Sequence, residues 1–188
     1  PKTPKPLEIE TNSRPADKKV EIIIYLLFKH YIMAQAGNTL DMVYFGNPIF
    51  DISVDDNERE VVNRYGFEMG LACLASPEQM PIYDELYARS DKTTSPGGSA
   101  LNSARAQRFA NSNGAVGYFG CIGSDAKGQA LQDAVNAAGI EGKFEISSEE
   151  PTGTCACVVV GKERTLCANI AAAKKFTMAY FNENIVSF

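Results

Sequence analysis

The spacing of apolar residues changes period several times between residues 41 and 176, which predicts alternating strands and helices. Continuous apolar runs of strand length occur at 42–45, 71–74 and 115–122. Amphipathic runs predict helices at 58–65, 77–89, 99–111 and 126–138. The run at 115–122, the helix after it and the Gly139-Ile140 step indicate a βαβ unit with a parallel sheet.

The last part of this pattern predicts a β-hairpin followed by a helix. Two strands, Thr154–Val160 and Thr165–Asn169, flank the turn Gly161-Lys162-Glu163. A further helix is expected to begin within 171–176. Because side chains alternate along a strand, Cys155 and Cys157 are expected to face the same way.

The two ends of the chain lie outside the pattern. Residues 1–19 contain four prolines and many charges, which is typical of a disordered or tag-like segment. The apolar stretch 20–34 is too short for a membrane helix. A signal-peptide core, a helix packed on the domain, or translated sequence upstream of a start at Met33 stay open for it. We interpret residues 1–40 as an extension and 177–188 as a divergent tail.

Composition excludes several classes of protein. The 188 residues are 45% hydrophobic, enough for a sizeable core, and the net charge is −5 without long charged runs. Neither nucleic acid nor a membrane is therefore an expected partner. Five cysteines, an odd number without a C-x-x-C pair, indicate reduced thiols and a cytosolic protein. Since His30 is the only histidine, we expect no metal site and no Cys–His or Ser–His pair.

The segment Ser-Pro-Gly-Gly-Ser at 95–99 is the strongest local signal for a ligand. Pro96 disfavours helix just before it, and Gly97 and Gly98 let another molecule approach the backbone closely. Ser99 is expected to cap the helix that follows. The unpaired N–H groups of such a turn suit hydroxyls or phosphate oxygens, although the same turn is often plain packing.

Five motifs together carry a resemblance to a known family. They are Gly-Asn-Pro-Ile-Phe-Asp at 46–51, Gly-Gly-Ser-Ala-Leu-Asn at 97–102, Phe-Gly-Cys-Ile-Gly with Asp125 at 119–125, Pro-Thr-Gly-Thr-Cys-Ala at 151–156, and Arg-Thr-Leu-Cys-Ala-Asn at 164–169. In this order they resemble the adenosine kinases, within the ribokinase-like sugar and nucleoside kinases. The resemblance covers about residues 42–174.

The resemblance implies a role for each matched residue. Asp51, expected just past a strand end, would accept hydrogen bonds from the 2′- and 3′-hydroxyls of a ribose. The remaining members of the implied nucleoside site are Asn47, Gly97, Gly98, Ser99, Asn102, and the apolar adenine wall of Cys155, Leu166 and Ala168. Arg164 would balance charge on the transferring phosphate. Taken singly, Asp51, Cys155 and Arg164 could also be a turn residue, a core thiol and a solvated hairpin residue.

The resemblance also implies the whole fold and reaction. We expect an α/β, ribokinase-like fold: a mostly parallel central sheet flanked by helices, with a small β-lid from parts of 51–95 and 153–169 within a domain at 41–176. The implied activity is ATP- and Mg²⁺-dependent phosphorylation of adenosine to AMP, for purine salvage, by a monomer in the cytoplasm or nucleus.

Part of the family pattern is not found in this sequence. A Gly-Ala-Gly-Asp turn with the catalytic base, and residues for ATP and Mg²⁺, have no counterpart here. We therefore expect these 188 residues to be the nucleoside-binding half of the fold, inactive by themselves. The alternative is a catalytically dead relative that binds a nucleoside or a partner protein.

Overall fold

A computed structural model describes residues 40–187; the predictions for 1–39 lie outside the described residues. Its strands are β1 (Met42–Phe45), β2 (Ile49–Asp55), β3 (Ala72–Leu74), β4 (Thr93–Gly97), β5 (Val116–Gly123), β6 (Glu141–Ser147), β7 (Thr154–Val160) and β8 (Glu163–Asn169). Its helices are α1 (Glu60–Tyr65), α2 (Ile82–Ala88), α3 (Ser99–Ala110), α4 (Ala126–Ala137) and α5 (Met178–Asn184). Short 3₁₀ helices occupy Pro77–Gln79, Ala171–Lys175 and Ile185–Ser187.

A three-stranded parallel sheet has the order β1-β5-β6. All eight residues of the central strand β5 are buried, which explains its continuous apolar sequence. Helices α3 and α4 pack on this sheet, and Tyr118 of β5 lies in the main core with Leu101 and Leu131. The next residue, Phe119, points to the opposite face and stacks on Phe45.

A second sheet of five strands has the order β3-β8-β7-β2-β4. The pairs β7–β8 and β2–β4 are antiparallel, whereas β2–β7 and β3–β8 are parallel. Alternate side chains, such as Ile52 and Val158, are fully buried in the main core with Ile82 and Leu86 of α2. The opposite face of the sheet is only partly covered, and it carries the candidate site.

Three local predictions were wrong. Asp51 lies inside β2, not past a strand end, because β2 pairs with β4 and β7 on both sides. Ser99 is the first residue of α3, and Gly98 occupies the N-cap position with φ of 98°. The helix expected over 77–89 is split, since Pro81 lacks an N–H and occupies the N-cap position of a separate helix, α2.

Residues 177–187, interpreted above as a divergent tail, pack against the three-stranded sheet. The Thr177 backbone N–H and hydroxyl donate to Glu145, and the Tyr180 hydroxyl donates to the Phe144 carbonyl at 2.9 Å. The ring of Phe181 contacts Phe45 and Phe119 edge-on. This segment is therefore part of the same compact unit as the rest of the described chain.

Within residues 40–187, none of the helices combines the length and the apolar character that crossing a membrane requires.

Candidate functional site

Strand register brings most of the candidate residues to one face of the five-stranded sheet. We call it the Asp51 face. One row across it reads Ser95, Asp51, Cys155, Ala168 and Leu74, and the next reads Thr93, Ser53, Cys157, Leu166 and Ala72. Arg164 stands on the same face, opposite Val159. The residues come from five strands, and pairing alone aligns them.

Asp51 is the half-buried carboxylate of this face. A Cβ atom built on Gly97 would overlap with the Asp51 carboxylate, so the absent side chain leaves the space in which that group lies. Burial raises the pKa of Asp51 from 3.8 to about 6, and the charges of Arg164 and Arg105 oppose the shift. The carboxylate is therefore partly desolvated and feels the charge of two arginines.

A small apolar cluster lies next to this carboxylate, because its member Cys155 pairs with Asp51 across β2 and β7. Ile49, Cys155, Cys157 and Ala173 are buried together, and three partly buried residues pack on them: Leu166, Ala168 and Ile170. The cluster is separate from the main core on the other face of the sheet. It contains the three residues predicted as an adenine wall and adds four that sequence reasoning missed.

The Gly-Gly turn holds the loop before β2 against the start of α3. A Cβ atom on Gly98 would overlap with the Asn47 carbonyl oxygen, and the positive φ of Gly98 favours glycine in any case. The Asn47 side chain is exposed on this loop. Ser99 and Asn102, in the first turn of α3, are exposed as well.

Arg105 is a residue that the sequence reasoning missed. Its Nη1 donates to the Pro96 carbonyl at 3.0 Å and to Oδ1 of Asn102 at 3.4 Å, and its charge acts on Asp51. Because the Asn102 oxygen is engaged by a donor, its amide NH₂ is left to donate. The signal in the sequence is the helical spacing of Asn102 and Arg105, which places them on one side of α3.

Arg164 is exposed near the turn of the β7–β8 hairpin. Its guanidinium is within electrostatic reach of Asp51, because its positive charge opposes the rise that burial causes in the pKa of that carboxyl group. A guanidinium and a carboxylate on one face of a sheet offer a donor for anionic groups and an acceptor for hydroxyl groups.

All five cysteines lie in the described part of the chain and are free thiols. On the Asp51 face, the sulfurs of Cys155 and Cys157 lie 3.9 Å apart, at S–H···S distance. This contact lowers the pKa of Cys157 and raises that of Cys155, since the two groups share a proton more easily than they both lose one. The expectation of reduced thiols agrees with this arrangement.

The described residues do not fit Mg²⁺. Within 40–187, the one group of three or more acidic, Cys or His side chains with ligand atoms close enough to share a metal is Asp51, Cys155 and Cys157. Two of its three ligand atoms are sulfur, whereas Mg²⁺ prefers an octahedron of oxygen ligands.

Comparison with known proteins explains this arrangement of motifs. Residues 72–187 match the family described as pfkB family carbohydrate kinase. The chain belongs to this family. The pfkB match begins in β3 and runs through α5, so it includes the segment that the sequence pattern had left outside the domain.

Within the pfkB family, the similar curated proteins are adenosine kinases. The chain is 35% identical to adenosine kinase of Dictyostelium discoideum over 138 residues, and 36% identical to adenosine kinase 2 of Arabidopsis thaliana over 141 residues. These alignments cover 72% and 73% of this chain, and 40% of each relative. The chain thus spans about two fifths of the length of these relatives.

Solved structures agree. The fold matches apo adenosine kinase of Trypanosoma brucei brucei with a TM-score of 0.74 and 32% identity, covering 80% of this chain and 46% of that one. It matches Anopheles gambiae adenosine kinase in complex with P1,P4-di(adenosine-5) tetraphosphate with a TM-score of 0.72 and 33% identity, covering 78% and 44%. The expected ribokinase-like α/β fold and the resemblance to adenosine kinases are confirmed.

Proposed function

We propose that the Asp51 face binds the ribose of adenosine in an adenosine kinase, which phosphorylates the 5′-hydroxyl to give AMP in purine salvage. The observation that carries the proposal is a half-buried carboxylate under the electrostatic influence of two arginines, beside an apolar cluster on the same sheet face. The similarity to adenosine kinases supports it, and does not favour a relative that only binds.

In this proposal, Asp51 orients the substrate. Its two oxygens accept from two neighbouring ribose hydroxyls, and Asn47 and Asn102 supply further polar contacts to the nucleoside. The ribose lies against Gly97, Gly98 and Ser99, where small residues leave the backbone accessible. The adenine ring packs on Cys155, Leu166 and Ala168. Holding the ribose at these points keeps the 5′-hydroxyl in one position for attack.

Arg164 faces the developing charge. Its guanidinium balances negative charge on the phosphoryl group that ATP supplies. ATP and Mg²⁺ are part of the proposal through the kinase family. The described residues offer no site of oxygen ligands for Mg²⁺.

We propose that the five-stranded sheet is the lid expected from the resemblance. Strands β2, β3, β4, β7 and β8 form it from within 49–97 and 154–169, and its Asp51 face would cover the ribose. We propose a monomer in the cytoplasm or nucleus, with adenosine and ATP as small-molecule partners.

Adenosine binding to Asp51 variants tests the proposal. A charged hydrogen bond contributes about 1.5–3 kcal/mol, so losing two in Asp51→Ala weakens binding of adenosine by roughly two to four decades. The measurement is calorimetric titration of the full chain. Asp55→Ala is the matched control, because Asp55 lies on the same face of β2 but is exposed at its end.

A second nucleoside makes the test specific. 2′-Deoxyadenosine lacks one of the two hydroxyls, so the unaltered protein is expected to bind it more weakly than adenosine. In Asp51→Ala the difference in affinity between the two nucleosides is expected to be smaller. If Asp51→Ala lowered the affinity for both nucleosides by the same factor, Asp51 would be a structural strand residue, and the assignment of the ribose site would be wrong.

A further inference from the structure

Three atoms that can bind a metal converge on the Asp51 face. A carboxylate oxygen of Asp51 and the sulfurs of Cys155 and Cys157 all lie within 4.8 Å of one another. The register accounts for this, since Asp51 pairs with Cys155 across β2 and β7, and Cys157 is the next residue on that side of β7. Both thiols are buried, so neither is a chance surface group.

The distances fit tetrahedral coordination of a thiophilic cation. With Zn–S bonds of about 2.3 Å, two thiolates on one tetrahedral ion are about 3.8 Å apart. The sulfurs of Cys155 and Cys157 are 3.9 Å apart without an ion. A carboxylate oxygen on the same ion would lie about 3.5 Å from each sulfur, and the three ligand atoms here all lie within 4.8 Å of one another.

We propose that Asp51, Cys155 and Cys157 form a binding site for Zn²⁺ or another thiophilic divalent cation, and that the bound cation competes with the nucleoside for Asp51. The competition rests on the proposed function, whereas the metal site does not. Three protein ligands leave a fourth position open to water, as in zinc sites that are not closed structural ones.

A disulfide is the obvious alternative for two close sulfurs, and the strand disfavours it. Residues i and i+2 of an extended strand have Cα atoms about 6.6 Å apart, at the upper end of the range that an unstrained disulfide spans. A metal ion bridges two sulfurs at their present separation and needs no S–S bond.

The surrounding charges suit the loaded site. Two thiolates and one carboxylate carry three negative charges, and a divalent cation leaves one of them uncompensated. Arg164 and Arg105, the two cations that act on Asp51, supply the opposite charge. Binding is a ligand exchange without oxidation: each thiol releases its proton to solvent as its sulfur bonds the metal.

Cobalt titration of the full chain, reduced with a phosphine and stripped of metals, tests the site. Co²⁺ is expected to bind as a single ion per chain and to give intense thiolate-to-cobalt charge-transfer absorption, which Zn²⁺ then removes by displacement. The absorption is lost in Cys157→Ser and in Cys155→Ser and altered in Asp51→Asn. Cys157→Ala serves as the second variant where serine in a buried position disturbs folding, as judged by circular dichroism.

Cys73→Ser is the matched control, because Cys73 is exposed and lies on the other face of the sheet. It keeps the full absorption. Absence of thiolate absorption in the unaltered protein, its persistence in the folded Cys157 variants, or its loss in Cys73→Ser would each overturn the proposal.

Competition is measured separately. Zn²⁺ at ten times its own Kd raises the apparent Kd for adenosine about elevenfold in the unaltered protein, and has no such effect in Cys157→Ala. Unchanged adenosine affinity in the zinc-loaded protein overturns the competition. A protein that binds cobalt through both thiols but never binds adenosine refutes the proposed function and leaves the metal site standing.

Discussion

Asp51 has a raised pKa because it is partly buried in the middle of a strand, and two arginines act on its charge. Burial favours the neutral acid, and the guanidinium groups of Arg164 and Arg105 favour the carboxylate. The pKa of about 6 means that the group changes charge near physiological pH. Ligand binding at this residue is therefore expected to depend on pH.

Adenosine affinity is predicted to rise with pH up to about 6 and to level off above it. The ionised carboxylate accepts two hydroxyl hydrogen bonds and the acid does not, so below this pKa the affinity falls about tenfold per pH unit. Calorimetric titration across pH 4.5–8 measures it. Asp51→Asn abolishes this dependence, whereas an affinity of the unaltered protein that is flat across pH 6 would contradict the prediction.

Two variants of Arg105 show, in the same pH-dependent titration, whether the charge or the packing of this side chain sets the pKa of Asp51. Arg105→Gln removes a cation that favours the carboxylate and moves the midpoint to higher pH, and Arg105→Lys keeps the charge and leaves the midpoint near its original value. The stability of the fold depends on pH in the opposite direction from the affinity for adenosine. Because the folded pKa is above 3.8, the stability of the ligand-free fold falls as pH rises from about 3.8 to about 6.

At the scale of elements, the absent side chain of Gly97 in β4 leaves room for the Asp51 carboxylate of β2. Gly97 pairs with Ile49, two residues along from the pair of Ser95 and Asp51, so the Asp51 carboxylate lies over the bare backbone of Gly97. β4 is an edge strand of the sheet, which allows Pro96 within it. The two strands thereby position the carboxylate without a hydrogen-bond partner for it in the described chain.

Gly97→Ala is predicted to weaken adenosine binding at least about tenfold, or about 1.4 kcal/mol, with little loss of stability. The new methyl group overlaps with the Asp51 carboxylate and displaces it. Gly97 does not have a positive φ, so alanine fits the backbone. Ser95→Ala, opposite Asp51 on the same strand, is the control. Calorimetric titration and thermal unfolding measure the two effects; equal adenosine affinity in both variants would refute the overlap.

At the scale of the whole molecule, one small polar network joins the two sheets. Asp125, at the N-cap of α4, accepts from the Gly128 N–H at 2.8 Å and from the Thr152 hydroxyl at 2.6 Å. The Thr152 hydroxyl in turn accepts from the Gly123 N–H at the end of β5, and Thr152 lies just before β7. The network fixes the direction in which the chain enters the five-stranded sheet.

Asp125→Ala is predicted to lower the free energy of unfolding by about 2–3 kcal/mol, because it removes a helix cap and two charged hydrogen bonds to Thr152. Asp133→Ala, an exposed position on the same helix, is the control and stays within about 0.5 kcal/mol. Urea unfolding at pH 7 measures both. Equal stability of the two variants would show that the network does not hold the sheets together.

The same network has a defined pH dependence. Burial by itself would raise the pKa of Asp125, but the hydrogen bonds from Thr152 and Gly128 outweigh it and hold the pKa below 3.8. The stabilisation is therefore present above the unfolded pKa and is lost as pH falls through the folded one. The difference between the unaltered protein and Asp125→Ala is expected to shrink below pH 4.

The sequence by itself determined most of the helices, several strands and the family, whereas β2, β4 and β6 were not predicted as strands. Period-2 and period-3.6 patterns depend on neighbouring residues, so β5, α4 and the β7–β8 hairpin were predicted within two residues of their bounds. The motifs around Asp51, the Gly-Gly turn and the hairpin carried the resemblance to adenosine kinases. The N-cap at Ser99 failed because backbone conformation, with a positive φ at Gly98, decides which residue starts the helix.

Only the tertiary structure decided which distant residues share a surface. The division into two sheets, the place of Asp51 inside β2, and the row that joins it to Cys155 and Ala168 depend on pairings between strands far apart in sequence. Since His30 is the only histidine, the sequence predicted no metal site; the grouping of Asp51 with Cys155 and Cys157 arises only when β2 pairs with β7. Burial and nearby charges, which set the pKa of Asp51, likewise arise only once the chain has packed.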